Sequence, residues 1–582
     1  MKNSKIHWPS IQLFNLSMPQ YIHRIITAWV LASLFFFIPS AASFTTHTFY
    51  DGMSFPLFTG VAAGLFLLLC AVKCDKWITL LLILSAELYF VCAAASYGDW
   101  LFSCGLCLIL CGIVLYSDLK NTAVRLPDAA LRILVILLIV LFTLFTGIIG
   151  CLYYKNYWTP CYDFGIFSQM FYYMKETGEC LTTCERDGLL NHFAVHFSPI
   201  FYLLLPLYCL IPSPCTLLIA QGFIVASGVW PLVLICKKFG LSNISTAFFS
   251  VCYILYPAFS GGCFFYLHEN CFLAPLILWF LYFSEKNQTL RAVVFALLIM
   301  LVKEDAAVYT AVIALYFVFA NKNRTRNLLL LCFSVLYFII VTHLMSVYGN
   351  GIMSGRYDNY IYDGGGLFTV IKSVLINPVY TISQIFQQDK LIFMLQMLVP
   401  LAFLPLMSKS PAKLILLIPF VLVNLMTNYQ YQYNIGYQYI FGSGAILMYL
   451  AASNFAELGQ SRKKILICAV LSSAILFSGG YLGKASYIQR YQNDTEQRET
   501  IRQALSLIPN EASVAASTFL LPNLSQRKEI YELETTKQQA EYYVLDLRYA
   551  TDEHTADDYL NETYITVFYE EDIVGVFKRR TS

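Results

Sequence analysis

Ionisable side chains that break apolar sequence are costly at a bilayer unless they are paired, hydrated or used. This chain carries several such positions. Asp163 opens the aromatic stretch FGIFSQMFYYM, His192 and His196 stand four apart, and His268–Glu269 follow the pair Gly261–Gly262. Lys303, Glu304 and Asp305 are consecutive inside an apolar run, and Arg356 and Tyr357 lie in GRYDNYIYDGGG (355–366). A carboxylate whose pKa is lifted by partial burial suits the removal of a proton from a hydroxyl, the role expected of Asp163; the plainer reading is a charge placed to suit a helix N-terminus. The histidine spacing would put both rings on one helical face. The spacing permits a divalent metal, but two ligands without a third make weak support for one, so hydrogen bonding is expected there and no cofactor is called for. Lys303 offers a point charge for a phosphate. Glu304 and Asp305 must point different ways on a helix, one pairing with Lys303 and the other entering a site, unless the three form only an internal ion pair. Arg356 has the fork that clamps phosphate bidentately. The turn NYQYQYNIGYQY (428–439) reads as an interfacial aromatic belt or, more sharply, as a surface for stacking sugar rings.

The elements that must position these residues are membrane spans. The chain has 582 residues, 58% of them hydrophobic and 13% charged, and a mean hydropathy of +0.61. That excludes a soluble globular protein of this length, and a formal net charge of +2 gives no field for nucleic acid. A span needs about 20 apolar residues, fewer when a helix is buried in a bundle, which gives about fifteen spans here. Four fall before residue 129, as an N-terminal extension. The remainder run through 130–482 and enclose the loops 154–214 and 348–390. The first apolar run lacks a small-residue cleavage site and is expected to stay as a span. Lysines and arginines at 2, 5, 24, 73, 76, 120 and 125 fall on one side if spans alternate. That side is read as the cytoplasm, so the N-terminus is cytoplasmic and the two long loops are external. The pattern holds only if Phe197–Pro212 lies along the outer surface; it is short and bounded by Pro199 and Pro212. From Gly483 the chain turns polar and strand-rich, which reads as a small extracytoplasmic α/β domain, 483–582. Most of the 18 cysteines sit in apolar runs as small hydrophobes. Cys161, Cys180 and Cys184 share the polar loop and could pair if it faces an oxidising side.

Several motifs, in order, resemble the bacterial membrane-protein family called domain of unknown function 2079. They are DFGIFSQ (163–169), HFSPIFYLLLPLY (196–208), YPAF (256–259), HEN (268–270), VKEDAAVY (302–309), RY (356–357), IPNEASVAAS (508–517), LPNLSQRKEIY (521–531) and YVLDL (543–547). That family in turn looks like the C-type glycosyltransferases, polytopic enzymes of the membrane that use polyprenyl-phosphate sugars. The resemblance implies an all-α polytopic bundle of that build in the plasma membrane, with a site at its outer face. It implies transfer of a sugar from a polyprenyl-phosphate donor to a cell-envelope acceptor. Asp163 and Glu269 would then be catalytic, and His192, His196, His268, Lys303, Glu304, Asp305, Arg356 and Tyr357 would bind substrate. The chain has a lone Asp163 where those enzymes carry a paired acidic motif, and His268–Glu269 in place of a carboxylate pair. The alternatives are a transporter or lipid-handling protein with the same outer cavity and no chemistry, or a membrane scaffold. In every case the lipid bilayer is a partner.

Overall fold

The computed structural model describes residues 16–40, 53–117, 125–351, 353–362, 366, 368–459, 462–549 and 554–580. Lys2, Lys5 and Lys120 of the orientation argument, and the stretch 363–365, lie outside them.

The protein is mostly helical. Among the described residues, eight helices are long and apolar enough to cross a membrane. They are Met18–Ile38, Asp75–Tyr97, Asp128–Lys155, Pro214–Lys238, Asn243–Phe264, Arg324–Tyr348, Gln438–Leu458 and Lys463–Asn493. Shorter apolar helices include Phe55–Ala71, Trp100–Tyr116 and Thr289–Met300. The expected count of about fifteen corresponds to these long helices plus segments that are too short or too irregular to span alone. Leu273–Glu285 and Ala307–Phe319 have 13 residues each and bury most of them against neighbours. The two spans expected near 391–407 and 412–427 become the helix Gln388–Leu398, short 3-10 turns at Val399–Leu401 and Leu404–Leu406, and an irregular 3-10 and π helical stretch, Pro411–Leu425. Pro400, Pro405, Pro411 and Pro419 each remove a backbone donor there, and Ala402 and Phe403 adopt positive φ.

The N-terminal helices pack on the last long helix, where the Cys107 thiol donates to the Ser472 carbonyl at 3.8 Å. The segment Phe197–Pro212 does not cross the bundle. It is a 3-10 turn, Pro199–Leu203, and a six-residue helix, Leu205–Leu210, far too short for a span. Tyr208 Oη donates to Gln526 of the polar domain at 2.5 Å, and the Ile200 N–H donates to the Leu301 carbonyl at 3.0 Å.

The polar domain is built on a five-stranded sheet. Its order is Ile530–Glu532, Val514–Ala516, Tyr542–Asp546, Val574–Arg579, Tyr564–Glu570. The first three strands are parallel and the last two antiparallel to their neighbours. Helix Thr495–Ser506 covers it, burying Ile501, Ala504 and Leu505. This domain is docked on the bundle rather than tethered. Tyr157 and Cys161 share its apolar core. Gln169, fully buried on helix Ile166–Thr177, donates to Thr183 Oγ1 (2.9 Å) and to the carbonyls of Arg527 (3.2 Å) and Lys528 (3.1 Å). Gly165 admits the close approach: a Cβ there would sit 2.8 Å from Leu521 Cδ2.

Candidate functional site

A cavity of about 680 Å³ opens where the helical bundle meets this domain. Four parts of the chain wall it: the 161–196 loop, the turn carrying Phe265 and His268, the tyrosine-rich turn with Arg356, and Glu532 and Thr535 of the sheet domain. Asp163, His192, His196, His268 and Arg356 line it.

Asp163 is held by an unusual backbone. It lies in the tight turn Cys161–Gly165, ahead of helix Ile166–Thr177, with φ 62° and ψ −59°. That is γ-turn geometry, rare and strained for a residue with a side chain. Asp163 is therefore not a dipole-favoured residue in a regular first turn. Burial pushes its pKa up, opposed by His268 and Lys303 and reinforced by Glu269.

Behind the wall lies a buried charge cluster. Glu269 Oε2 is 2.9 Å from His268 Nδ1, and Glu269 Oε1 is 3.2 Å from Lys303 Nζ. The distances are those of ion pairs, but the donors are not aligned for hydrogen bonds, so charge rather than directional bonding holds the group. Burial alone would raise Glu269; His268 and Lys303 together outweigh it and hold the carboxyl well below the usual range. Burial would likewise lower Lys303, and Glu269, Glu304 and Asp305 reverse that and raise it. Glu269 and Lys303 are thus ionised partners one layer behind the cavity. Gln221 fixes this turn, accepting the His268 backbone N–H at 2.8 Å and donating to the Cys263 carbonyl at 3.1 Å.

The two remaining histidines take separate carboxylates. His192 Nδ1 is 3.0 Å from Glu185 Oε2, and His196 Nδ1 is 3.0 Å from Glu304 Oε1. Glu304 Oε2 also accepts the Phe197 N–H at 3.1 Å. Burial lowers His196 well below its ordinary pKa, and Lys303 adds to the effect, so its ring is neutral at pH 7. Burial also lowers His192, but Glu185 outweighs it and leaves the pKa raised. The rings sit 6.1 Å apart, and His192–Ala194 is a 3-10 turn rather than part of an α-helix carrying both.

Arg356 is sandwiched by rings, its guanidinium carbon 4.8 Å from the Tyr429 centroid and 5.1 Å from that of Tyr439. It also donates to Tyr439 Oη at 3.2 Å. Asp305 is within electrostatic reach of Lys303 and Arg356 but does not line the cavity. Tyr357 points away: its hydroxyl donates to the Leu422 carbonyl at 3.0 Å. Of the ten site residues read from the sequence, five form the wall. Glu269, Lys303 and Glu304 support it, Asp305 stands near it, and Tyr357 packs elsewhere.

Glu185, Arg186, Asp187 and Glu532 on the wall escaped sequence reading. They sit in polar segments, where charged residues give no signal against their background. Tyr429, Tyr431, Tyr437 and Tyr439 belong to the aromatic turn, and all four face the cavity. Every cysteine among the described residues is a free thiol. Cys161 and Cys184 face one another within hydrogen-bonding reach on the cavity wall, whereas Cys180 lies apart beside Tyr202.

Fold and site together define a multi-pass α-helical membrane protein with a polar cavity capped by an α/β domain. The chain belongs to the family described as "Predicted membrane protein (DUF2079)", which matches residues 153–566. Among solved structures it is similar to ArnT from Cupriavidus metallidurans bound to undecaprenyl phosphate. The identity is 12%, over 78% of this chain and 98% of that one, with a TM-score of 0.46. For the apo state of the same protein the identity is 13%, over 72% and 93%, with a TM-score of 0.42. No curated protein matches the chain.

Proposed function

We propose that the cavity is the active site of a C-type glycosyltransferase that works at the outer membrane face with a polyprenyl-phosphate sugar. The observation that carries this reading is the cavity wall itself. It places a strained, partly buried carboxylate, Asp163, in one chamber with a guanidinium, Arg356, clamped between tyrosine rings. An apolar groove of about 310 Å³ runs beside it, lined by Phe193, Phe197, Val341, Leu344 and Tyr348. The groove suits a polyisoprenoid chain whose phosphate reaches the polar chamber.

In the reaction, Asp163 takes the proton of an acceptor hydroxyl. The acceptor oxygen attacks the anomeric carbon, and the bond from that carbon to the phosphate oxygen breaks with its electron pair leaving on the phosphate. Arg356 meets the growing charge, the kind of preorganised electrostatic help that contributes most to such steps. One displacement inverts the anomeric carbon. Glu269 and Lys303 act through His268 and Tyr439, with Lys303 Nζ 6.0 Å from the Tyr439 centroid. Both are positioning residues in this scheme. His196, neutral and held by Glu304, offers its remaining ring nitrogen as a hydrogen-bonding partner for the sugar.

The test is to replace Asp163 by Asn in the cell and compare envelope glycans and accumulated polyprenyl-phosphate sugar with those of the unaltered strain. Loss of one glycan modification with accumulation of its lipid donor is expected. Unchanged glycans with the variant inserted at normal levels would reject catalysis and leave the lipid-handling reading.

A further inference from the structure

A second feature lies at the far end of the bundle, away from the cavity. Helix Arg324–Tyr348 has 25 residues and, at about 1.5 Å per residue, spans roughly 37 Å. Its C-terminal end meets the cavity side, where the Asn350 N–H donates to the Ala194 carbonyl at 2.8 Å. Its first turn therefore sits a membrane thickness away. There Arg326 is only 6% exposed. Its Nε and Nη2 donate to Asn327 Oδ1 at 3.2 and 3.0 Å. Nη1 has no hydrogen-bond partner, and no carboxylate lies within ion-pair distance of the guanidinium among the described residues. Asn327 is neutral, so the charge is unmatched. A buried, unpaired arginine at a membrane boundary is costly, and a sequence retains one readily only where something anionic completes it.

The space beside it fits such a partner. A groove of about 720 Å³ runs between helices Thr289–Met300 and Arg324–Tyr348, with Arg326 at its head and Val293, Leu297, Leu329 and Phe333 along its length. Asn323 and Thr289 form the polar rim, joined by a 2.9 Å hydrogen bond from Asn323 Nδ2 to Thr289 Oγ1. The rim is also the N-terminus of a long helix that no side chain caps, where unpaired N–H groups favour an anion. A cation at the mouth of an apolar channel between helices, at the membrane boundary, is the arrangement that recognises a lipid phosphate.

We propose that this groove binds an anionic glycerophospholipid, its phosphate on Arg326 and its acyl chain against Leu297, Leu329 and Phe333. The site is independent of the catalytic reading. The experiment uses the full chain purified in detergent, exposed to phosphatidylglycerol or phosphatidylcholine of the same chain length, with retained lipid counted by native mass spectrometry. The wild type is expected to retain phosphatidylglycerol several-fold better than phosphatidylcholine, and R326Q to lose that preference. L329W keeps the guanidinium and fills the groove, so it is expected to lose the preference too, and it decides the matter if R326Q does not fold. Equal retention of both lipids by the wild type, or an undiminished preference in L329W, would overturn the proposal. A third arm adds glycerol 3-phosphate without lipid. Displacement of phosphatidylglycerol by that headgroup alone at comparable concentration would mark a free-phosphate site and would also overturn it.

Discussion

At the residue scale the chemistry turns on which groups carry charge. Asp163 faces the cavity and its pKa is raised by burial. Acting as a base, it must be ionised, so turnover should fall as pH drops through that raised pKa. The acidic limb of the rate profile should then lie above the usual aspartate value of about 3.9, and D163N should abolish turnover rather than shift the limb. Rates measured from pH 4 to 8 with a fixed donor check this; an acidic limb at an ordinary aspartate pKa would contradict the assignment. Lys303 and Glu269 behave differently. They are partners 3.2 Å apart with almost no exposure. Removing one leaves the other as an uncompensated buried charge, at about 3–5 kcal/mol. K303M and E269Q should therefore lower the thermal unfolding midpoint in detergent, whereas D163N, which removes no partner charge in contact, should leave it nearly unchanged. With Glu269 held ionised below the usual carboxylate range, this ion-pair contribution is fully present above the ordinary glutamate pKa. It is lost only as pH falls through the depressed value.

At the element scale, function depends on a junction. Helix Ile166–Thr177 lies against the sheet domain through Gln169, which also accepts the Thr183 N–H at 2.8 Å and Thr182 Oγ1 at 2.9 Å. Q169L removes every one of these bonds and leaves buried donors and acceptors unmatched, each worth about 1–3 kcal/mol. The domain should then loosen and be cleaved faster by trypsin under native conditions, with the bundle intact; wild-type cleavage rates would contradict the docking role. The two segments that form this junction, DFGIFSQ and LPNLSQRKEIY, are legible in the sequence as motifs. Their meeting is not, because 163–169 and 521–531 are joined only through tertiary packing. The same division runs through the site. Charges set in apolar sequence, such as Lys303 and His268, declared themselves by contrast. Arg186 and Glu532 lie in polar stretches and did not. Tyr357 adjoins Arg356 in sequence, but in an irregular turn neighbouring side chains point apart, and its hydroxyl donates to the Leu422 carbonyl. The span count exceeds the number of long helices because helices such as Leu273–Glu285 are sheltered by protein and need not match the bilayer thickness.

At the scale of the whole molecule the two ends of the bundle differ in kind, and that difference predicts orientation. One end holds the cavity, the sheet domain and the tyrosine-rich turn. The other gathers the basic loops, and the contacts between them show that they share one end. Lys237 pairs with Asp128 at 2.6 Å, Lys322 with Glu285 at 2.5 Å, and Lys413 with Glu457 at 2.6 Å. Lys464 reaches the carbonyls of Leu115 and Ser117. Lysine and arginine in short loops stay cytoplasmic, so this end should face inward and the cavity outward. Alkaline phosphatase, which is active only outside the cytoplasm, should therefore work when fused after Ser582 and fail when fused after Asn321; a green fluorescent fusion should report the reverse. An active phosphatase at Asn321 would invert the molecule. The cavity would then open to the cytoplasm, the lipid groove at Arg326 would face the outer leaflet, and a transfer reaction on the external surface would have no site in which to occur.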